Sequence, residues 1–574
     1  MPTVADLIVT ALADHGVTHV FGVVGDALNP VTDSIRREDR LEWVGVRHEE
    51  AGAFAAGAQA QLTGKLGVCM GTVGPGAVHL LNGLYDAKKS HAPVLAIVGQ
   101  VPRPDIGSDF FQEVNNDVVF SDVSVFHATL TDPEQLPHLV EQAGNAALQQ
   151  RGVAVLTIPG DVGGLDVPSH TAVPSFVAEH PVPQPADAAL DAALAAVESG
   201  QKVTMLVGQG VRESRDDVLA LAERLAAPMV LTLKAKEGLE RDNPYEVGQS
   251  GLLGNPAATL AFETCDVLLM LGTDFPYREF YPSGKTVVQV DVDGSHIGRR
   301  HPVDVGVVGD AGTAVRWLLP RVSPREDRGH LDHSREAYTT WLDLQQHFVD
   351  PDYDQNKMGF IRKRLDNRDH KIRPELLAGL VDRHAAHDAI FTTDTGMATT
   401  WLSRFVRFTG TRRLLGSFNL GSMANAMPQA IGAQALDHGR QVVAFCGDGG
   451  LTMLLGDLLT IASHELPVKL VVFDNGRLGM VKLEMEQVGL AEYGTVLHNP
   501  DLAAMAQSMG IHGIRVTDPH DLEAAVEEAM THDGPVLLDV VTNPDEIAVP
   551  SKPKLSQGWG FAIAKSKEIV TSAE

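Results

Sequence analysis

One stretch constrains this chain more than any other: residues 440–479, RQVVAFCGDGGLTMLLGDLLTIASHELPVKLVVFDNGRLG. Residues 442–446 are a continuous apolar run that stops at Gly447-Asp448-Gly449-Gly450, the pattern of a strand buried on both faces. Apolar residues then recur at helical spacing over 451–465, with Leu451, Leu454, Leu455, Leu458, Leu459 and Ala462 on one face. Pro467 closes that helix, and residues 468–473 form a second buried strand ending at Asp474-Asn475. The unit is strand-turn-helix-strand, so Asp448 and Asn475 fall at the carboxyl ends of parallel strands, where open α/β sheets bind ligands. A carboxylate, an amide oxygen and a glycine turn that opens a helix can together hold a hard divalent cation and a diphosphate.

At 574 residues the chain exceeds a single hydrophobic core, and about three domains are expected. Hydrophobic residues at 44% suffice for several cores, and 55 glycines suit a fold with many strand-to-helix turns. A formal net charge of −28 argues against nucleic acid or an anionic membrane as the main partner. Cys69, Cys265 and Cys446 lie in or beside apolar segments without metal-ligand spacing, which predicts buried thiols in a reducing, cytoplasmic setting. No signal peptide opens the chain, and no apolar run reaches membrane-spanning length.

From the amino end, residues 3–15 have the spacing of an amphipathic helix closed by Gly16. A strand and Gly22, Gly25 and Asp26 follow. Further strands are expected at 41–46, 66–70, 94–98 and 153–158. Between them lie RHEEAGAFAAGAQAQLTG, whose small residues predict close packing against it, and the tight turn Gly74-Pro75-Gly76. Residues 167–186 carry five prolines and no periodicity, so they read as a linker. A second set of strands is expected at 203–207, 229–233, 267–271 and 287–292, and a third α/β unit from Pro374 to about residue 543 contains the opening stretch. The fold class is therefore α/β, with three doubly wound domains on parallel central sheets.

The GDG turn with an asparagine 27 residues after its aspartate resembles the metal- and diphosphate-binding motif of enzymes that use thiamine diphosphate (ThDP, also called thiamine pyrophosphate). That resemblance implies Mg2+ held by Asp448, Asn475 and a backbone carbonyl near Arg477, with Gly447, Gly449, Gly450 and Gly479 around the diphosphate. The family usually has Asn-Asn where this chain has Asp474-Asn475. The resemblance also implies that Glu49, in Arg47-His48-Glu49-Glu50, protonates the pyrimidine of the cofactor, and that an apolar setting keeps its proton available. In the family this glutamate comes from a partner subunit, so a homodimer is the minimum active unit, with a homotetramer expected. Gly25, Gly74, Gly76 and Phe111 match cofactor-lining positions, with Gln112 the polar contact among the catalytic set. Gly421, Ser422 and Met423 match the segment beneath the thiazolium, Met423 propping its face.

The segments RRLLGSFNLGSMANAMPQAIGAQ, LGMVKLEME, DNPYEVGQSGLLG and LGTDFPYREFYP resemble bacterial pyruvate oxidases of the quinone-reducing type over nearly the whole chain. The domains that this implies are a pyrimidine-binding domain at 1–166, a linker at 167–186 and an FAD-binding-type domain at 187–322. A connecting segment at 323–373, a diphosphate- and Mg2+-binding domain at 374–545 and a tail at 546–574 complete the chain. FAD would meet Ser250, Gly251, Leu252, Leu253, Thr273, Asp274, Phe275, Pro276, Tyr277 and Asp291. Gly208-Gln209-Gly210 follows a strand but does not complete a Rossmann fingerprint. Met480, Val481 and Glu484 match the wall around the reacting carbon, the first two selecting a methyl group and Glu484 handling water or a proton. The implied reaction is oxidative decarboxylation of pyruvate to acetate and carbon dioxide, electrons passing to FAD and then to a quinone or another acceptor. Acetolactate synthases share the architecture but usually carry Gln-Trp where this chain has Lys482-Leu483. An oxidase that forms acetyl phosphate with oxygen is a further alternative, as is a non-catalytic scaffold. Some relatives end in a membrane-docking arm whose place is largely missing here, so membrane contact is expected to be peripheral at most, although Trp559, Phe561 and Ile563 could form a short apolar stripe.

Overall fold

The computed structural model describes residues 1–168, 170–177, 181–352, 367 and 370–546. The stripe at Trp559, Phe561 and Ile563 lies outside them.

Long apolar runs become strands that are hidden on both faces, and three parallel sheets result. The first holds β1 (His19–Gly22), β2 (Glu42–Gly45), β3 (Gly67–Gly71), β4 (Val94–Gln100), β5 (Ser124–Thr129) and β6 (Val153–Pro159), in the order β2-β1-β3-β4-β6-β5. The second holds β7 (Val203–Val207), β8 (Met229–Leu231), β9 (Val267–Leu271), β10 (Thr286–Asp291) and β11 (Val305–Val308), ordered β11-β10-β9-β7-β8. The third holds β12 (Ile390–Thr393), β13 (Arg413–Gly416), β14 (Val442–Gly447), β15 (Lys469–Asp474), β16 (His512–Val516) and β17 (Val536–Val541), ordered β13-β12-β14-β15-β17-β16. First and third sheets thus share one topology. Central strands β4, β6, β7, β9 and β15 are buried at every position, which requires helices on both faces.

Each order has a switch point, between β1 and β3, β7 and β9, and β12 and β14, and the first and third orders invert again at their β6-β5 and β17-β16 ends. A doubly wound sheet opens its ligand crevice at such a point. All three crevices are drawn tight by glycine. A Cβ on Gly25 would lie 2.3 Å from the Thr72 side chain, one on Gly208 2.0 Å from the Gly272 carbonyl, and one on Gly450 2.2 Å from Asp394 Oδ2.

The small-residue segment forms helix Glu49–Thr63, and its close neighbour is helix Ala426–Leu436 of the third domain. Any Cβ at Gly432 would sit 2.2 Å from the Ala55 carbonyl, so the two backbones nearly touch and one apolar core runs through both domains. The middle domain is held to the third by buried carboxylates: Glu237 accepts from Arg413, Arg212 and the Leu414 amide, and Glu240 from Lys236, Arg407 and the Phe408 amide.

Two details depart from the sequence reading. The helix expected over 451–465 starts at Asp448 itself and is broken into Asp448–Met453 and Leu458–Ser463 by a 3-10 turn, Leu455–Asp457. At the break, buried Asp457 accepts a 2.8 Å hydrogen bond from the Arg47 backbone, so a contact with the first domain overrides the periodic pattern. The proline-rich segment does not hang free: Phe176 is buried against Gly144, and its N–H donates to His15 Nε2 at 2.7 Å. Among the described residues no helix is long and apolar enough to cross a membrane, and all three cysteines are buried and unpaired.

Candidate active site

The first-domain part of the site forms where β2 and β3 end. His48 caps helix Glu49–Thr63, its Nδ1 accepting from the Glu50 amide at 3.3 Å. Glu49 is only 7% exposed, and its Oε2 lies 2.9 Å from His79 Nδ1. The His79 ring stacks on His48 with centroids 4.4 Å apart. The expected apolar setting is therefore corrected on one side: the carboxyl group has an imidazole partner, and that imidazole reaches solvent. One ligand atom each from His48, Glu49 and His79 lies within 4.8 Å of the others, with His48 Nδ1 engaged by the Glu50 amide and Glu49 Oε2 by His79.

Gly76 passes so close that a Cβ there would be 3.0 Å from Glu49 Oε1 and 2.9 Å from Thr72, whose buried hydroxyl has no hydrogen-bond partner. Gly74 turns at φ +68°, with its missing Cβ 2.8 Å from the Gln112 carbonyl. Gln112 itself sits at φ +67°, a conformation side chains rarely adopt and one that concentrates at functional sites. Gly25, Gly74, Gly76, Glu49 and Gln112 thus come together. Phe111 beside them is 79% exposed.

The third-domain part forms where β14 and β15 end. Asp448 is 2% exposed, and its Oδ2 accepts from the Gly476 amide at 2.9 Å and from Asn499 Nδ2 at 2.6 Å. The same Asn499 nitrogen donates to Asp474 Oδ1 at 2.8 Å. Burial pushes the Asp448 carboxyl up to about 7, and the neighbouring Asp474 pushes the same way. Asn475 Oδ1 accepts from the Arg477 amide at 2.9 Å, which fixes the turn, while the Arg477 side chain turns away to Glu492. A Cβ on Gly479 would be 3.1 Å from Asn475 Nδ2, and one on Gly449 would be 3.4 Å from Met423 Cε. Gly447 and Gly421 face open space instead. A carboxylate, an amide oxygen and a nearby carbonyl are hard oxygen donors, and the glycines leave room above them, so these residues fit Mg2+ with a diphosphate.

Sequence reasoning missed three residues here. Asp394, just after β12, is buried with Oδ2 unpartnered and is pushed up to about 7 by burial. Its place in a strand-Asp-Thr-Gly run was the available signal. Asn499 and His79 had none, because both arrive from distant parts of the chain. Between the two parts, Asn82 Nδ2 lies 2.7 Å from Glu50 Oε1 and 2.9 Å from Ser422 Oγ. Among the described residues no hydrogen bond or ion pair joins Glu49 to Asp448 directly.

In the middle domain, Gly251 at φ +91° is closed over by Phe275 and Tyr277, which brings residues 250–253 against 273–277. Ser250, Thr273 and Phe275 are buried, Pro276 and Leu253 half-buried, and Leu252 is exposed. Asp291 ends β10 with Oδ1 3.4 Å from His296 Nδ1, and burial raises its pKa. Asp274 pairs with Arg299 at 2.8 Å and Arg300 at 3.0 Å and accepts from Asn419 at 3.1 Å, so it ties this domain to the segment that carries Met423. Thr273, Asp274, Phe275, Gln289, His296 and both arginines line a small pocket at these strand ends.

On helix Gly479–Gln487, Val481 is 41% exposed and Glu484 is exposed, with Met480 half-buried near them. Lys482 and Leu483 turn inward, Lys482 pairing with Asp545 at 2.6 Å.

Comparison with known proteins agrees with this geometry domain by domain. Residues 2–119 match the N-terminal TPP-binding domain of thiamine pyrophosphate enzymes, 190–318 the central domain and 394–540 the C-terminal TPP-binding domain. The chain is 36% identical to the putative thiamine pyrophosphate-containing protein YdaP of Bacillus subtilis, over 96% of this chain and 93% of that one. It is 30% identical to a pyruvate oxidase of Lactiplantibacillus plantarum, over 97% and 91%. A similar likeness, 32% over 96% and 92%, holds for an acetolactate synthase large subunit of Parasynechococcus marenigrum. With all three domain matches in order along the chain, it belongs to the thiamine pyrophosphate enzyme family.

Proposed function

We propose that this enzyme oxidatively decarboxylates pyruvate: pyruvate and water give acetate, carbon dioxide, two protons and two electrons. The middle domain would hold FAD, which would supply the two-electron acceptor ahead of a quinone or another acceptor. ThDP, when bound, supplies the electron sink for the pair left by departing carbon dioxide. Asp448 and Asn475, with the Arg477 carbonyl, hold Mg2+ and through it the diphosphate. Met423, beside the glycine turn, would help to hold ThDP. Glu49 gives and takes the proton at the pyrimidine, and His79 connects its buried carboxyl group with solvent.

One observation carries the choice of oxidase over synthase. The exposed side of helix Gly479–Gln487 offers Val481 and Glu484, with Met480 beside them, and no aromatic side chain. Leu483, at the position where synthases usually have a tryptophan to receive a second keto acid, is 6% exposed and turned into the protein. A small apolar wall with one carboxylate suits a methyl group and a water molecule.

A second copy of the chain completes the site in this reading. Val24 and Phe111, each next in sequence to a glycine or glutamine of the Glu49 cluster, are exposed apolar side chains, as are Val481 and Tyr493 on the segments that follow the Asn475 turn. Apolar edges of that kind mark association surfaces. The test is product analysis after incubation with pyruvate, ThDP, Mg2+, FAD and ferricyanide. Acetate and carbon dioxide in equal amounts are expected, and acetolactate as main product would replace this reading with the synthase.

A further inference from the structure

We infer that Asn499 is a positioning residue for the cation: its single side-chain nitrogen holds the metal ligand Asp448 and the carboxylate of Asp474 in register. The inference rests on the assignment of Asp448 and Asn475 as metal ligands.

The segment that delivers Asn499 is itself fixed to the metal turn. Leu478 N–H donates to the Thr495 carbonyl and Leu497 N–H to the Gly476 carbonyl, both at 2.8 Å, and Arg477 and Val496 form an antiparallel bridge between them. Glu492 closes the clip by accepting from both Arg477 and Thr495. Asn499 therefore arrives on a rigid lead beside the turn that carries Asn475.

Its amide has two hydrogens on one nitrogen, and two acceptors lie at 2.6 and 2.8 Å, Asp448 Oδ2 and Asp474 Oδ1. Both carboxylates are buried, and placed side by side they repel. A neutral double donor between them offsets that repulsion without adding a charge that would compete with a cation. It also leaves Asp448 Oδ2 accepting from two sides, Asn499 and the Gly476 amide, so the rotation of this carboxylate is set before any metal arrives. The requirement is sharpened in this chain because residue 474 is an aspartate. Groups that orient a metal ligand in this way are typically worth about ten- to a hundredfold in metal affinity.

The experiment is Mn2+ binding to the metal-free protein with ThDP present, read by the EPR signal of Mn2+ and by calorimetry of ThDP binding. Asn499→Ala should weaken Mn2+ by about ten- to a hundredfold and lower the thermal midpoint of the metal-free protein, because the two carboxylates then face each other unbridged. Asn499→Ser keeps one hydroxyl hydrogen, enough for one carboxylate, and should fall between the two. Asp474→Asn should bind Mn2+ about as well as wild type, because its amide oxygen accepts the same bond. Unchanged affinity in both Asn499 variants would overturn the inference, and so would a loss in Asp474→Asn as large as in Asn499→Ala, which would assign the effect to the charge at 474. Wild-type protein that binds no Mn2+ with ThDP would instead defeat the metal-ligand assignment itself.

Discussion

The first and third domains share one strand order and yet set different groups at their strand ends. At the ends of β2 and β3, a buried carboxyl group meets an imidazole that reaches solvent, an arrangement that moves a proton. At the ends of β14 and β15, two buried carboxylates share one amide nitrogen, and Asp474 also faces Arg515 at 3.9 Å, a cluster of oxygen donors that suits a cation. The scaffold supplies a crevice at each switch point, and a handful of residues at the strand ends decide its use. Glycine serves the two crevices differently as well. Gly76 presses the backbone onto the acid in the first domain, whereas Gly447 and Gly421 leave space in the third.

The comparison can be broken most severely at the cation. Asp448→Ala should abolish saturable ThDP binding by the purified protein while FAD binding persists, as calorimetry and the flavin spectrum would show. Normal binding of both cofactors would remove the third domain from its role. Next in size, Glu49→Gln should bind ThDP as wild type does and slow exchange of the thiazolium C2 proton by about a hundred- to ten-thousandfold, measured by NMR. Exchange at the wild-type rate would move proton transfer elsewhere.

The smallest expected effect concerns buried acids. Asp394 is pushed up to about 7 by burial, from an ordinary value of 3.8. Its folded pKa lies above the unfolded one, so the stability it contributes is complete below about 4 and is lost as pH rises through about 7. Asp394→Asn should therefore flatten the pH dependence of the metal-free protein's unfolding free energy between those limits, by about 2–4 kcal/mol. An unchanged slope in denaturant titrations would show that this acid does not hold its proton.

The sequence announced the parts of this molecule whose signal is local. Continuous apolar runs marked the central strands of the first two sheets and β14 and β15 of the third, whereas buried β12 and β17 and edge strands β13 and β16 were not singled out. Edge strands β5 and β11 escaped notice because they are only half-buried and lack such runs. The break at residues 454–457 escaped because its cause, Asp457 reaching the Arg47 backbone, lies in another domain. Asn499 and His79 escaped for the same reason. Spacing along a chain reports what one element presents, and these residues matter for what they meet from elsewhere. Asp474 was visible as a departure from the usual pattern, but its partner was not.

The account stands or falls on a single turnover without oxygen. Holoenzyme with ThDP, Mg2+ and FAD is mixed with pyruvate in the absence of any acceptor, and the visible flavin absorbance is followed. The prediction is bleaching of one flavin per active site, with carbon dioxide released in the same amount and recovery of absorbance when ferricyanide or a quinone is added. Consumption of pyruvate with the flavin still oxidised and acetolactate accumulating would contradict it.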